Sequence, residues 1–250
     1  MDRRKEGSAA LRGAPAGRDQ DQCGRTFRMS RITGVLAAVL TITGAYAEEF
    51  NVDPSSGNST FNAVFDARLG ERINATSSAV ECSVTYDEKG GTMSGTCSVP
   101  LTTIKVDNED TKTEHFQQWA TNKKMEPKDC KFEAKFTSVK LGRLIAETPV
   151  KFSAEVPFTI CGRPRTDGGK EHVNGNAILF PPGSYGEAKT IRVRARVEKF
   201  NRDKYRIGPK YTEGWLSRVQ SLAKVVADEG TVELSLFAKA KDAAASAQQK

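Results

Sequence analysis

Residues 150–161 read V-K-F-S-A-E-V-P-F-T-I-C, and this stretch decides the fold class. Its apolar side chains fall at every second position and are Phe152, Ala154, Val156, Phe158 and Ile160. Because successive side chains of a β-strand point to opposite faces, strict alternation indicates a strand with one buried and one solvated face. The stretch therefore predicts a half-buried β-strand.

Four further segments repeat this alternation. They lie at residues 61–69, 132–136, 191–197 and 232–236. Many such strands with turn residues between them are typical of a β-sandwich or a β-barrel. We therefore expect an all-β domain over residues 48–240, followed by a flexible polar tail at 241–250.

Two segments have helical rather than strand spacing. Residues 110–120 would place His115, Phe116 and Trp119 on or near one helix face. Residues 213–226 carry apolar side chains at intervals of three and four. We expect one or two short helices, which cover an end of the β structure.

The cysteines beyond residue 47 form an even set of four, which in an exported chain indicates two disulfides. One predicted hairpin joins strands at 80–86 and 92–99, and another joins strands at 130–139 and 150–161. Directly opposite residues can have Cα atoms about 4.5 Å apart, within reach of a disulfide. The predicted pairs are Cys82–Cys97 and Cys130–Cys161. A zinc or redox-active site is the alternative, but the C-x-x-C spacing typical of such sites does not occur.

The N-terminal region has the parts of a secretory signal peptide. A short uncharged apolar run at 32–45 follows Arg28 and Arg31, and Ala45-Tyr46-Ala47 ends it with small residues. The run is shorter than the ~20 apolar residues that cross a bilayer. We expect cleavage after Ala47 and a periplasmic or secreted mature protein.

The basic charge does not indicate a nucleic-acid partner. Residues 1–47 hold eight Lys and Arg against four Asp and Glu, which reduces the net charge from +7 for the whole chain to +3 for the rest. Phosphate binding needs a concentrated basic face. We therefore expect no nucleic-acid partner.

Motifs for catalysis are absent from the sequence. It contains no G-x-S-x-G, H-E-x-x-H or phosphate-loop pattern. His115 is the candidate general base, and His172 falls in a region expected to be a Gly-rich, charged loop. We expect no enzyme activity, no cofactor and no metal, and an exported enzyme that uses His115 is the alternative.

One strand carries a row of arginines. Arg192, Arg194 and Arg196 alternate with apolar residues and should share the outer face. The simpler interpretation is a solvated exterior. The functional alternative is a structural or interaction protein of the cell envelope that docks through this Arg-rich face.

Six phenylalanines from three alternating segments should point into one interior. They are Phe61, Phe65, Phe132, Phe136, Phe152 and Phe158. A barrel of eight strands can be filled by such side chains or can hold one small ligand. The sequence leaves both interpretations open.

Several motifs occur in an order that resembles the YceI-like family of exported, lipocalin-like barrels. They are FNVDP at 50–54, STF at 59–61, EHF at 114–116, MEP to Phe132 at 125–132, VPFTICG at 156–162, NRDKYRIGP at 201–209 and the strand at 228–237. The chain departs from the family pattern at 66–68 and 162–165, and its four cysteines are an unusual number.

This resemblance implies an eight-stranded antiparallel barrel around an elongated apolar pocket. It also implies binding of a polyisoprenoid or another long-chain amphiphile without catalysis. The six interior phenylalanines and Phe116 would line the pocket, and His115, Trp119 and Tyr205 would contact the ligand near its mouth. Peripheral contact with a membrane and formation of a homodimer are left open.

The true start of translation is the first testable expectation. Residues 1–28 have the composition of a disordered extension, and Met29 would begin a compact signal peptide at 29–47. We predict that translation starts at Met29 and that the exported protein begins at Glu48. Peptide mapping of the precursor and intact-mass analysis of the mature protein measure both. A precursor peptide from residues 1–28 would contradict the first statement.

Overall fold

The computed structural model describes residues 47–67, 70–121, 124–211 and 226–241, all within one compact unit. Thirteen strands and one α-helix lie in these ranges: β1 Ala47–Val52, β2 Thr60–Ala67, β3 Arg72–Ser77, β4 Glu81–Asp87, β5 Thr92–Pro100, β6 Lys105–Val106, α1 Asp110–Ala120, β7 Lys131–Lys140, β8 Val150–Val156, β9 Phe158–Ile160, β10 Arg163–Pro164, β11 Glu171–Phe180, β12 Thr190–Asn201 and β13 Val226–Ala240. Short 3-10 helices lie at Pro54–Ser56, Leu101–Thr103, Pro127–Asp129, Arg202–Tyr205 and Pro209–Tyr211.

The strands form one sheet of antiparallel pairs. Its main path runs β10-β9-β7-β5-β4-β1-β13-β12-β11-β8. β13 is long enough to pair with β1 near its C-terminal end and with β2 near its N-terminal end. β3 continues from β2 and pairs with β6. The all-β prediction is confirmed by this arrangement.

The eight-stranded closed barrel is not what the described residues show. They contain thirteen strands in a sheet that is not closed, since β7 and β8 do not pair. The stretch at 150–161, expected to be one strand, is interrupted at Pro157. Proline has no N–H to donate to a strand ladder. β8 therefore pairs with β11, and only β9 pairs with β7.

Both predicted cysteine pairs come together. Cys82 lies opposite Cys97 in the β4–β5 hairpin, with Cα atoms 4.2 Å apart. Cys130 and Cys161 have Cα atoms 4.3 Å apart. The second hairpin is correct only beside its disulfide, because β9 contributes three residues to the ladder with β7 and β8 leaves it.

The period-two pattern of β12 gives the expected faces. Ile191, Val193 and Val197 are buried, whereas Arg194 and Arg196 are exposed. At one end of the sheet the interior is filled, since Phe50 and Tyr86 are buried there. The Tyr86 hydroxyl donates to the Gly142 carbonyl and accepts from the Leu144 N–H, both at 3.0 Å.

Of two further expectations, the structure confirms one and corrects the other. The helix at Asp110–Ala120 is confirmed as α1. His172, expected in a loop, lies within strand β11.

Three predicted segments lie outside the described residues. They are the signal peptide, the helix at 213–226 except its last residue, and nearly all of the tail at 241–250. Within the described ranges, no helix has the length and apolarity needed to cross a membrane.

Loss of the Cys82–Cys97 disulfide should destabilise the domain. The bond closes a loop with a sequence separation of 15 residues, for which restriction of the unfolded chain contributes about 3 kcal/mol. A Cys82→Ala/Cys97→Ala variant is expected to lose roughly this free energy of unfolding in urea titrations. Ser83→Ala, on the outer face of the same strand, is the control and should change it little. Equal stabilities of the two variants would contradict the prediction.

Candidate functional site

A large cavity of about 390 Å³ lies between the sheet and helix α1. Most of its lining is apolar and comes from strands β2, β3, β7 and β12, from α1 and from the segments beside them. The apolar members are Phe61, Ala63, Phe65, Ala67, Ile73, Ala75, Leu101, Val106, Phe116, Trp119, Phe132, Ile160, Phe200, Ile207, Pro209, Val226 and Val232. The volume falls in the range of about 300–1,000 Å³ that is usual for small-molecule sites.

Six of the lining residues are polar. They are Glu71, Lys112, His115, Arg202, Lys210 and Asp228. Glu71, Arg202 and Asp228 lie close together, because Val226 pairs with Ala67, the Ala67 N–H donates to the Glu71 carbonyl, and Arg202 donates to the Val226 carbonyl and to Asp228. We call the six polar residues the rim of this mainly apolar cavity.

Ion pairs neutralise the cations of the rim. Lys112 Nζ lies 2.9 Å from carboxylate oxygens of both Asp107 and Glu109, and hydrogen bonds to these groups raise the pKa of Lys112. Lys210 pairs with Asp203. The rim thus presents polar groups without an excess of positive charge.

Arg202 fixes the shape of the rim. Its guanidinium donates to the carbonyls of Ile207, Val226 and Ala227, each at 2.9 Å, and to Asp228 Oδ1 at 3.0 Å. Burial lowers its pKa, but an arginine remains charged in proteins. Arg202 therefore ties the end of β12 to the start of β13 at the cavity mouth.

Helix α1 covers the cavity and is held at both ends. At its start, Thr113 Oγ1 accepts from the Val106 N–H at 3.0 Å and donates to the Glu109 carbonyl at 2.8 Å. At its end, the Arg163 guanidinium donates to the carbonyls of Ala120 and Thr121. Hydrogen bonds and charge at a helix C-terminus favour such a cation.

The three residues of α1 that were predicted to contact a ligand line the cavity. His115, Phe116 and Trp119 share the helix face that meets it. The rings of His115 and Trp119 are stacked, with centroids 6.2 Å apart. This placement agrees with the expectation that the three residues lie together at one site.

A second, smaller cavity of about 70 Å³ has an almost entirely apolar lining. Phe136, Phe152 and Phe158 belong to its lining, together with alanine, valine and leucine side chains from β7, β8, β12 and β13. The six phenylalanines predicted to point inward are therefore divided between two cavities, with Phe61, Phe65 and Phe132 in the larger one.

Three of these rings lie against glycines on the neighbouring strand. The opposed pairs are Phe65–Gly230, Phe136–Gly95 and Phe152–Gly175. A methyl group built on any of the three glycines would come closer than 3 Å to the facing ring and to a backbone carbonyl oxygen. Because a glycine leaves room above the sheet, each ring can lie close to the backbone instead of projecting into the interior.

Tyr205 occupies a different place from the one predicted. It is fully buried and lines neither cavity. Its ring stacks on Phe200 with centroids 5.2 Å apart, and its hydroxyl donates to Glu171 Oε1 at 2.7 Å. Burial and this hydrogen bond raise the pKa of Tyr205. Arg165 also donates to Glu171 Oε1, at 3.1 Å. Tyr205 therefore packs against the cavity residue Phe200 without lining the cavity itself.

Phe200 is a cavity residue that sequence reasoning missed. Strict alternation from Val197 would place Lys199 inside and Phe200 outside. The ladder between β12 and β13 is irregular between Val197 and Phe200, where one extra residue lies on β12. Such a bulge reverses the facing of the side chains that follow it, so Phe200 points inward. Its aromatic character at the end of an Ile/Val strand was the available signal.

The arginine row is not a free basic face. The Arg192 guanidinium lies over the Phe237 ring, 4.9 Å from its centroid, and Tyr185 stacks on Phe237. Arg196 pairs with Glu233 at 3.1 Å. Arg192 and Arg196 are therefore already in contact with other side chains on the outer surface of the sheet.

An exposed polar chain joins β8 and β11. The Ser153 hydroxyl lies 3.2 Å from His172 Nε2, and His172 Nδ1 lies 2.7 Å from Glu155 Oε1. The order of atoms is that of a serine-hydrolase triad. His172 and Glu155 are 62% and 58% exposed, and none of the three lines either cavity. The arrangement therefore lacks the enclosed substrate site that such chemistry uses.

Comparison with known proteins gives a likeness of fold. No protein-family model matches the chain, and no curated protein matches it. Among solved structures, it is similar to a polyisoprenoid binding domain from Saccharophagus degradans that is implicated in plant cell wall breakdown. The TM-score is 0.51 at 11% sequence identity, over 78% of this chain and 99% of that domain. The likeness concerns the fold alone.

Substitution of a glycine that lies under a phenylalanine ring should be costly. Gly230→Ala would force its new methyl group against the Val64 carbonyl and the Phe65 ring, and overpacking of this kind costs about 1–3 kcal/mol. Chemical denaturation measures the loss. Ser235→Ala on the same strand is the control, with an expected change within about 0.5 kcal/mol. An unchanged unfolding midpoint for Gly230→Ala would show that the ring does not depend on the glycine.

Proposed function

We propose that this protein binds a polyisoprenoid or another long-chain amphiphile in the large cavity, without catalysis. The observation that carries the proposal is a mainly apolar space of about 390 Å³ with six polar side chains in its lining. A long apolar chain would occupy the body of the cavity, and its polar head would lie at the rim formed by residues such as Glu71, Lys112 and Asp228. The solved polyisoprenoid binding domain with a similar fold supports this choice of ligand class.

The energetics favour an occupied cavity. Burial of apolar surface contributes about 25 cal/mol per Å², so a chain in contact with phenylalanine, valine and isoleucine side chains gains affinity without a specific polar contact. The rings of Phe116 and Trp119 on α1 would cover such a chain from one side, and Ile73 and Phe65 of the sheet would contact it from the other.

The protein is proposed to act in an oxidising compartment. Two cysteine pairs at disulfide distance are compatible with export, and the N-terminal sequence predicts the signal. Docking through the outer arginines draws less support, because Arg192 packs on Phe237 and Arg196 pairs with Glu233. The exported enzyme that uses His115 also draws less support, because no hydrogen bond to a carboxylate is seen at His115 in the described residues.

A matched pair of helix variants tests the binding proposal. Phe116→Asp places a carboxylate in the apolar part of the cavity, whereas Gln118→Asp adds the same charge on the exposed face of α1. Displacement of a fluorescent apolar probe, N-phenyl-1-naphthylamine, by farnesol or palmitic acid measures affinity. We expect Phe116→Asp to weaken binding about tenfold or more because an ionised group must be desolvated, and Gln118→Asp to match the wild type. Equal binding by both variants, or no displacement in the folded wild type, would contradict the proposal.

A further inference from the structure

The two cavities are separated by an aromatic cluster whose centre is Phe132. Its ring lies 5.2 Å from that of Phe61, 5.7 Å from that of Phe158 and 5.7 Å from that of Phe200, measured between centroids. These partners come from β2, β9 and β12, so the cluster joins strands from different parts of the sheet. We call these four residues the aromatic partition.

Phe132 is the least buried member of the partition. Phe61, Phe158 and Phe200 are buried, at 3%, 8% and 2% exposure, whereas Phe132 is only partly buried. Phe132 lines the large cavity together with Phe61 and Phe200, and Phe158, which meets its ring edge-on, lines the small one. The contact between Phe132 and Phe158 therefore forms part of the boundary between the cavities, beside Val232, which lines both.

The interior continues beyond this boundary along strand β13. Val226 and Asp228 line the large cavity, Val232 lines both, and Leu234 and Leu236 line the small one. At about 3.3 Å per residue, the distance from Val226 to Leu236 along the strand is about 30 Å. Apolar side chains dominate the lining of both spaces, and the rings that lie on Gly95 and Gly175 leave the small one unfilled.

We infer that Phe132 is the floor of the ligand cavity and sets the length of apolar chain that the protein accepts. This inference rests on the proposed binding function and assigns a specificity role to one residue. A chain that enters at the polar rim meets the Phe132 ring after it fills the large cavity. Without that ring, the small cavity becomes the continuation of the large one, and a longer chain can be buried.

A series of linear polyprenols tests the inference directly. Farnesol, geranylgeraniol and solanesol differ in chain length but share one hydroxyl head. Burial of each further methylene contributes about fourfold in affinity, so affinity rises until the accessible space is full. For the wild type we expect little gain from geranylgeraniol to solanesol. For Phe132→Leu and Phe132→Ala we expect the ratio of solanesol affinity to farnesol affinity to rise about tenfold above the wild-type ratio.

Two further variants make the readout specific. Phe116→Leu is the same substitution in the large cavity, on helix α1 and away from the boundary, and it should alter all prenol affinities by a similar factor. Phe132→Leu/Ala154→Leu fills the small cavity again, since Ala154 lines only that space, and should abolish the gain for long chains. Circular dichroism and unfolding midpoints identify any variant that fails to fold, and Phe132→Leu is the milder of the two floor variants.

The outcomes separate the two claims. A wild type that binds prenols, with Phe132 variants whose length preference is unchanged or shifts as in Phe116→Leu, overturns the role of Phe132 and leaves the binding function intact. A long-chain gain that persists in the Ala154→Leu double variant also overturns it. A folded wild type that binds none of the three prenols overturns the binding function, and the inference about Phe132 fails with it.

Discussion

The structure depends on keeping an apolar interior open. Every long strand supplies apolar side chains to the inside, and close packing would normally fill that space. The phenylalanine rings that pack on Gly95, Gly175 and Gly230 lie close to the sheet and so leave the space free. This open interior is the space in which we propose that an apolar guest binds.

Different contacts hold the two ends of this interior. At one end, Phe50 and Tyr86 fill the space and the Tyr86 hydroxyl fixes the 141–144 loop. At the other end, Arg202 holds the rim and α1 covers the cavity. The Cys130–Cys161 disulfide lies beside this cover, because strand β10, which follows Cys161 closely, carries Arg163, whose guanidinium donates to the last carbonyls of α1. Side-chain hydrogen bonds therefore hold α1 and the rim in place in addition to the strand pairs.

Local patterns predicted the features that depend on neighbouring residues. Alternation identified the inward faces of β2, β7, β8 and β12, helical spacing identified α1, and the β4–β5 turn gave the Cys82–Cys97 register.

Features that depend on the interruption of a strand were missed. Pro157 divides the stretch chosen as most diagnostic, and the bulge after Val197 turns Phe200 inward. β11 was not recognised because asparagines and Gly175 interrupt its apolar residues, although that glycine is what accommodates Phe152. The division into two cavities arises from ring contacts between distant strands, which no local pattern contains.

The most direct measurement is native mass spectrometry of the protein purified from its own source, combined with analysis of an organic extract of the same sample. A protein whose cavity is a ligand site should carry a mass above that of its polypeptide, and the extract should contain a long-chain apolar molecule of the matching mass. A sample with only the polypeptide mass and a lipid-free extract would contradict the account of the interior as a binding site.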